Sequence, residues 1–146
     1  MSNVGLVPEL RMTLPAHRDS LSLLRHVVRG FRDAYGVPPA TMDDIVLAVS
    51  EAATNCVVHA YGSRPGTMTL VARVDDGRLA ILVRDHGCGI APPDDAPQLG
   101  HGLALMAHVA ATLEIAGTAA GTDVLMSFHL SAGPDPATPG DFGAAS

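Results

Sequence analysis

DDIVLAVSEAATNCVVHAYG, residues 43–62, is the stretch from which the architecture follows. Wound at about 3.6 residues per turn, it puts Asp44, Glu51, Asn55 and His59 on one stripe. Ile45, Val49, Ala52, Ala53, Cys56, Val57 and Ala60 fall on the opposite face, which reads as core. Glu51 and Asn55 project as neighbours from successive turns. A carboxylate can accept a proton and an amide oxygen can ligate a hard cation such as Mg2+, so the pair can act on a single ligand. A solvated surface helix accounts for this stretch alone equally well, and the choice depends on the rest of the chain.

On the N-terminal side, Leu10 to Leu14 alternate and stop at Pro15, which predicts a short edge strand. Leu21, Leu24, Val27, Val28 and Phe31 then repeat at helical spacing, with Asp19 or Ser20 as the cap and Arg25, Arg29 and Arg32 on or near the outer side. Tyr35, Gly36, Val37 and the Pro38-Pro39 pair end that helix. Thr41 is the expected N-cap of the central helix, with Asp43 and Asp44 in a first turn where negative charge suits the dipole.

On the C-terminal side, a turn cluster at residues 62–66 leads to a strand from Thr67 to Val74. Asp76-Gly77 makes a hairpin turn, and Arg78 to Arg84 returns with Leu79, Ile81 and Val83 facing one way. After Asp85-His86-Gly87-Cys88-Gly89, a Pro-rich acidic loop from Ile90 to Leu99 precedes Gly100-x-Gly102 and a third helix, Leu103 to about Thr112. Leu113–Gly117 and Asp123–Leu130 read as a last hairpin around Ala119-Ala120-Gly121. The order of strand, two helices, hairpin, helix and hairpin predicts an α+β, two-layer α/β sandwich with helices on one face of a mixed sheet. Residues 1–9 read as an N-terminal extension, 10–131 as one domain, and 132–146 as a disordered Pro/Gly/Ala-rich tail.

Composition bounds the function. The chain has 146 residues, 47% of them hydrophobic and 16% charged, as expected of one compact domain. No apolar run reaches the roughly 18 residues of a membrane span, and nothing at the N-terminus resembles a secretion signal, so a cytoplasmic protein without membrane association is expected. A net charge of −6 and the absence of Lys/Arg clusters argue against direct nucleic-acid binding. Cys56 and Cys88 form no CxxC pair and read as reduced thiols, while the seven histidines lack a ligand pattern such as HExxH.

Three separated elements carry candidate chemistry: Glu51-x-x-x-Asn55 on a helix, Asp85-x-Gly87-x-Gly89 at a strand end, and Gly100-x-Gly102 opening a helix. Asp85 can accept a hydrogen bond from the exocyclic amino group of a purine, and Gly87 and Gly89 can let the backbone pass close to a base. A strand leaving through a glycine turn explains the same residues. Gly100 and Gly102 offer unobstructed N–H groups where phosphates bind well, or only a flexible entry to a core helix. There is no Walker P-loop and no GxGxxG after the first strand.

In this order and spacing, the three resemble the N, G1 and G2 boxes of the Bergerat-fold (GHKL) ATPases. SEAATNCVVHAYG, VRDHGCGI and LGHGLALM look most like the anti-sigma-factor serine/threonine kinases of the RsbW type. That resemblance covers roughly residues 10 to 130. It implies that Asn55 ligates a Mg2+ bridging the phosphates of ATP and that Glu51 is the general base on a serine or threonine hydroxyl. It further implies that Asp85 binds adenine with Gly87 and Gly89 shaping the pocket, and that Gly100 and Gly102 lie at a lid hinge near the phosphates. The implied partners are a sigma factor, which the protein sequesters, and an anti-anti-sigma antagonist, which it phosphorylates; a homodimer is the implied assembly. The Arg25, Arg29 and Arg32 stripe could meet an acidic partner, or be solvated charge. Between Asp85 and Gly102 there is no Lys or Arg, and the presumed lid, Ala91 to Leu99, is acidic with three prolines. Phosphoryl transfer usually meets its developing charge with cations, so a nucleotide-gated binding module without phosphotransfer is the alternative.

Overall fold

The computed structural model describes residues 9–61, 64–87 and 96–130. The expected extension and tail lie outside these residues, apart from Glu9, and so do Cys88, Gly89 and the loop through Asp95. Strand β1 (Glu9–Pro15) leads into α1 (Arg18–Arg29), α2 (Phe31–Tyr35) and α3 (Pro39–Asn55), and a π-helical turn (Cys56–Ala60) extends α3. There follow β2 (Thr67–Asp75), β3 (Arg78–Asp85), α4 (Ala96–Val109), β4 (Thr112–Thr118) and β5 (Gly121–His129).

The strands form one sheet in the order β1-β2-β3-β5-β4. Every pairing is antiparallel, so the sheet is not the mixed one expected from the element order. The α+β two-layer arrangement stands: α1 and α3 pack together, α4 packs on α3, and their apolar sides meet one face of the sheet. Leu79, Ile81 and Val83 from β3 and Val124, Met126 and Phe128 from β5 share that core with Ile45, Val49, Ala52 and Ala53 of α3. The core face of α3 is thus the one its periodicity specifies.

Several boundaries differ from expectation for local reasons. The cap of α1 is His17, whose Nδ1 accepts a hydrogen bond from the Asp19 N–H at 3.1 Å. Neither Asp19 nor Ser20 caps the helix. Gly30 splits the helix expected to run on to Tyr35, and Arg32 therefore lies on α2 while Arg25 and Arg29 lie on α1. Pro39 opens α3, two residues before Thr41, because proline is suited to the first helical turn, where its missing N–H leaves no bond unmade. Asp76 (φ 56°) and Gly77 (φ 73°) adopt the left-handed conformations a two-residue hairpin turn requires.

Candidate active site

The dipeptide Asn55-Cys56 joins the three candidate elements. Asn55 is the last residue of α3 and Cys56 the first of the π turn. The Asn55 side chain faces α4, where a Cβ at Gly102 would stand 3.7 Å from its Oδ1 and 3.1 Å from Glu51 Oε1. Glu51 and Asn55 are half-buried, and Gly102 is buried against them. Cys56 points to the sheet side, where its Sγ donates to Asp85 Oδ2 at 3.8 Å, within the longer reach of a sulfur donor. One end of the site is therefore Glu51 and Asn55 under Gly102, and the other is Asp85 at the end of β3.

Asp85 is 7% exposed. Its Oδ1 accepts from the backbone N–H of Gly87 at 2.9 Å and of Thr122 at 3.3 Å. Oδ2 accepts from the Cys56 thiol, a weak donor, so it retains acceptor capacity for a stronger one. Burial, reinforced by the Asp85 charge and hydrogen bond, pushes the Cys56 thiol up to about 12, so it keeps its proton at neutral pH. Gly87 packs on the carbonyl of Ala60 at the end of the π turn, so closely that any side chain would collide with it. Tyr61 tightens the same corner: its hydroxyl accepts from the His86 N–H at 2.8 Å and donates to the Thr67 carbonyl.

Gly100 and Gly102 do not open a helix. Helix α4 begins at Ala96, with Pro97 in its first turn, so both glycines fall past the first four residues and their N–H groups are not the unpaired ones of a helix start. What Gly102 provides instead is a close contact: its missing Cβ lets α4 approach Glu51 and Asn55. Of the segment Ala91–Leu99 expected as a lid, residues from Ala96 onward are helical, and those before lie outside the described residues. Gly89 lies outside the described residues, as does the His101 side chain. His59 is half-buried in the π turn.

Cys56, Tyr61 and Thr122 are site residues that sequence reasoning missed. Cys56 was legible only as core, and nothing local connects Thr122 to a carboxylate on another strand or Tyr61 to the turn after β3. A pocket of about 240 Å³ lined by Arg84, Asp85, His86, Ala116, Ala120, Gly121 and Asp123 opens at the same end of β3, where the alternation of β3 and β5 carries Arg84 and Asp123 to the side of the sheet away from the helices. Arg84 and Asp123 make a two-pronged ion pair there, at 2.7 and 2.8 Å.

A buried carboxylate beside a glycine turn, with a Glu/Asn pair on the facing helix, is the arrangement that the resemblance to ATPases of the histidine-kinase-like class leads one to expect. The chain belongs to the Histidine kinase-like ATPase domain family, which matches residues 14–128. Among relatives it is similar to a serine-protein kinase RsbW of Bacillus mycoides, 34% identical over 54% of this chain and 49% of that protein. It is also similar to an anti-sigma F factor of Caldanaerobacter subterraneus, 39% identical over 53% of this chain and 54% of that one. The chain thus spans about half the length of these curated relatives. Among solved structures it resembles the RsbU and RsbW domains of a Mycobacterium tuberculosis protein, with TM-score 0.70, 26% identity and coverage of 84% of this chain and 32% of that one. A blue-light activated histidine kinase of Erythrobacter litoralis aligns with TM-score 0.55 and 36% identity over 65% of this chain and 32% of its own.

Proposed function

We propose that this protein binds Mg-ATP and is an anti-sigma factor that phosphorylates a serine or threonine of an anti-anti-sigma antagonist protein. The observation that carries the reading is the convergence of Glu51 and Asn55 under Gly102 with a buried Asp85 at the other end of the Asn55-Cys56 step. The names of its relatives, serine-protein kinase and anti-sigma factor, support the same reading.

The residues fit the ligand. Asp85 Oδ2 accepts from the amino group of adenine, and Gly87 and Gly89 keep the backbone low beside the ring. Asn55 Oδ1 would be the protein ligand for Mg2+, and Gly100 and Gly102 would lie near the phosphates. Mg-ATP supplies the phosphoryl group and the metal charge that offsets its negative oxygens. Glu51 lies one turn from Asn55, where its carboxylate can take the proton from an incoming hydroxyl and so raise its nucleophilicity. The absence of Lys and Arg between Asp85 and Gly102 leaves the developing charge to Mg2+, backbone N–H groups or a partner's cation.

The sigma factor and the antagonist are the two protein partners in this reading, met in the cytoplasm where ATP is available. Arg25, Arg29 and Arg32 are exposed and form a basic edge suited to an acidic partner surface; Arg25 also donates to Ser50 Oγ at 2.9 Å. The assembly is a homodimer formed through the helix-free face of the sheet.

The test is transfer from γ-labelled ATP in a lysate of the source cell, comparing wild type with Glu51→Ala. A small protein labelled only by wild type, while both proteins bind Mg-ATP, is the expected result. Undiminished labelling by Glu51→Ala would remove the assigned base, and no labelling by either would leave a nucleotide-gated binding module.

A further inference from the structure

Cys56 is 3% exposed, and its thiol is the side-chain donor on Asp85 Oδ2 among the described residues. The two oxygens of Asp85 are held unequally. Oδ1 is fixed by the N–H groups of Gly87 and Thr122, which belong to the turn after β3 and to β5. Among the described residues Oδ2 meets the thiol, whose position is set by the π turn that follows Asn55. We infer that Cys56 is a positioning residue for base selection, its S–H holding Asp85 Oδ2 in the orientation that accepts an exocyclic amino group. The inference rests on the reading of Asp85 as the base acceptor.

The chemistry suits the task. A carboxylate oxygen can accept more than one hydrogen bond, so a weak S–H donor on one side leaves room for an N–H donor on the other. The Cys56 thiol is almost fully buried and directed at Oδ2, so its donor is fixed by packing. Without it, the carboxylate would be anchored at one oxygen and free to swing about that anchor. An amino-bearing base would then meet a less ordered acceptor, while a base lacking the amino group would meet nothing changed.

The experiment compares the binding of two nucleotides to the full chain with Mg2+ by titration calorimetry. One is ATP, and the other is purine riboside triphosphate, in which hydrogen replaces the amino group. Wild type is expected to prefer ATP. In Cys56→Ala the ATP affinity should fall by about three- to tenfold, the magnitude of one weak hydrogen bond to a charged acceptor, with the analogue within about twofold of wild type. Cys56→Ser should recover most of the preference, since a hydroxyl is a competent donor of similar size.

An alanine variant that keeps the wild-type ratio of the two affinities overturns the inference. So does one that weakens both nucleotides alike, because that is the signature of a packing role only, and so does a serine variant no better than alanine. If wild type binds the two nucleotides equally, the base-acceptor reading of Asp85 falls, and this inference falls with it.

Discussion

Asp85 and Asp123 sit at the same end of the sheet and answer to different partners. Asp85 is buried and bonded to backbone N–H groups, so replacing it by Asn alters the acceptor a base would meet and is expected to weaken ATP binding by about tenfold or more in titration calorimetry. Asp123 lies near the surface, and the two-pronged hydrogen bond from Arg84 holds its carboxyl below the ordinary value of 3.8. A depressed carboxyl stabilises the fold fully above that ordinary value, and the contribution is lost as pH falls through the lowered one. The stabilities of wild type and Asp123→Asn should therefore differ most near neutral pH and converge as the carboxyl is protonated in acid, with a gap of only about 0.5 kcal/mol because the pair is solvent-screened. At this scale the sequence singled out Glu51, Asn55 and Asp85 as candidates through residue type and spacing. It could not disclose Cys56 as a partner of Asp85, because the two are 29 positions apart and their contact exists only once α3 lies on β3.

Helix α4 carries the clearest test at the level of elements. In a helix interior Gly→Ala ordinarily stabilises by roughly 1 kcal/mol. At Gly102 the added Cβ would stand 3.1 Å from Glu51 Oε1, tighter than most contacts, so the gain is offset. Gly102→Ala should leave the melting temperature within a few degrees of wild type while lowering ATP affinity and phosphate transfer by about tenfold or more, since the new methyl group pushes the Glu51 side chain out of place beside Asn55. Unchanged affinity would show that α4 does not border the ligand. Elements with strong local chemistry were legible: the core face of α3 from its period, and the β2–β3 hairpin because Asp-Gly tolerates the left-handed turn. Helix ends were less so. The period of α1 passes through Gly30 unbroken in the sequence, and Gly100-x-Gly102 has the composition of a helix entry although packing against α3 makes it helix interior.

At the scale of the whole molecule, the helices cover one face of the sheet, and among the described residues no helix lies on the other. The strand registers align Arg11, Val71, Leu82, Leu125 and Glu114 in one row across that face. Its apolar centre is flanked by a cation on the β1 edge and an anion on the β4 edge, and Leu125 is 38% exposed. A two-fold axis through the middle of such a row sets Arg11 of one copy against Glu114 of the other in both directions, the self-complementary pattern of an isologous interface. Arg11 also pairs with Glu9 at 3.6 Å, an exposed contact that contributes little and does not prevent this. None of this was legible in the order of elements, because the row exists only when β5 inserts between β3 and β4, a choice no local propensity specifies. Placing a charge at the apolar centre should break the association without unfolding a protomer, since Leu125 is outside the core. In sedimentation at micromolar concentration, wild type is expected at twice the mass of Leu125→Arg, with similar melting temperatures. A wild-type protein already at the mass of one chain would remove the dimer, and a variant that stays dimeric would move the interface to another face.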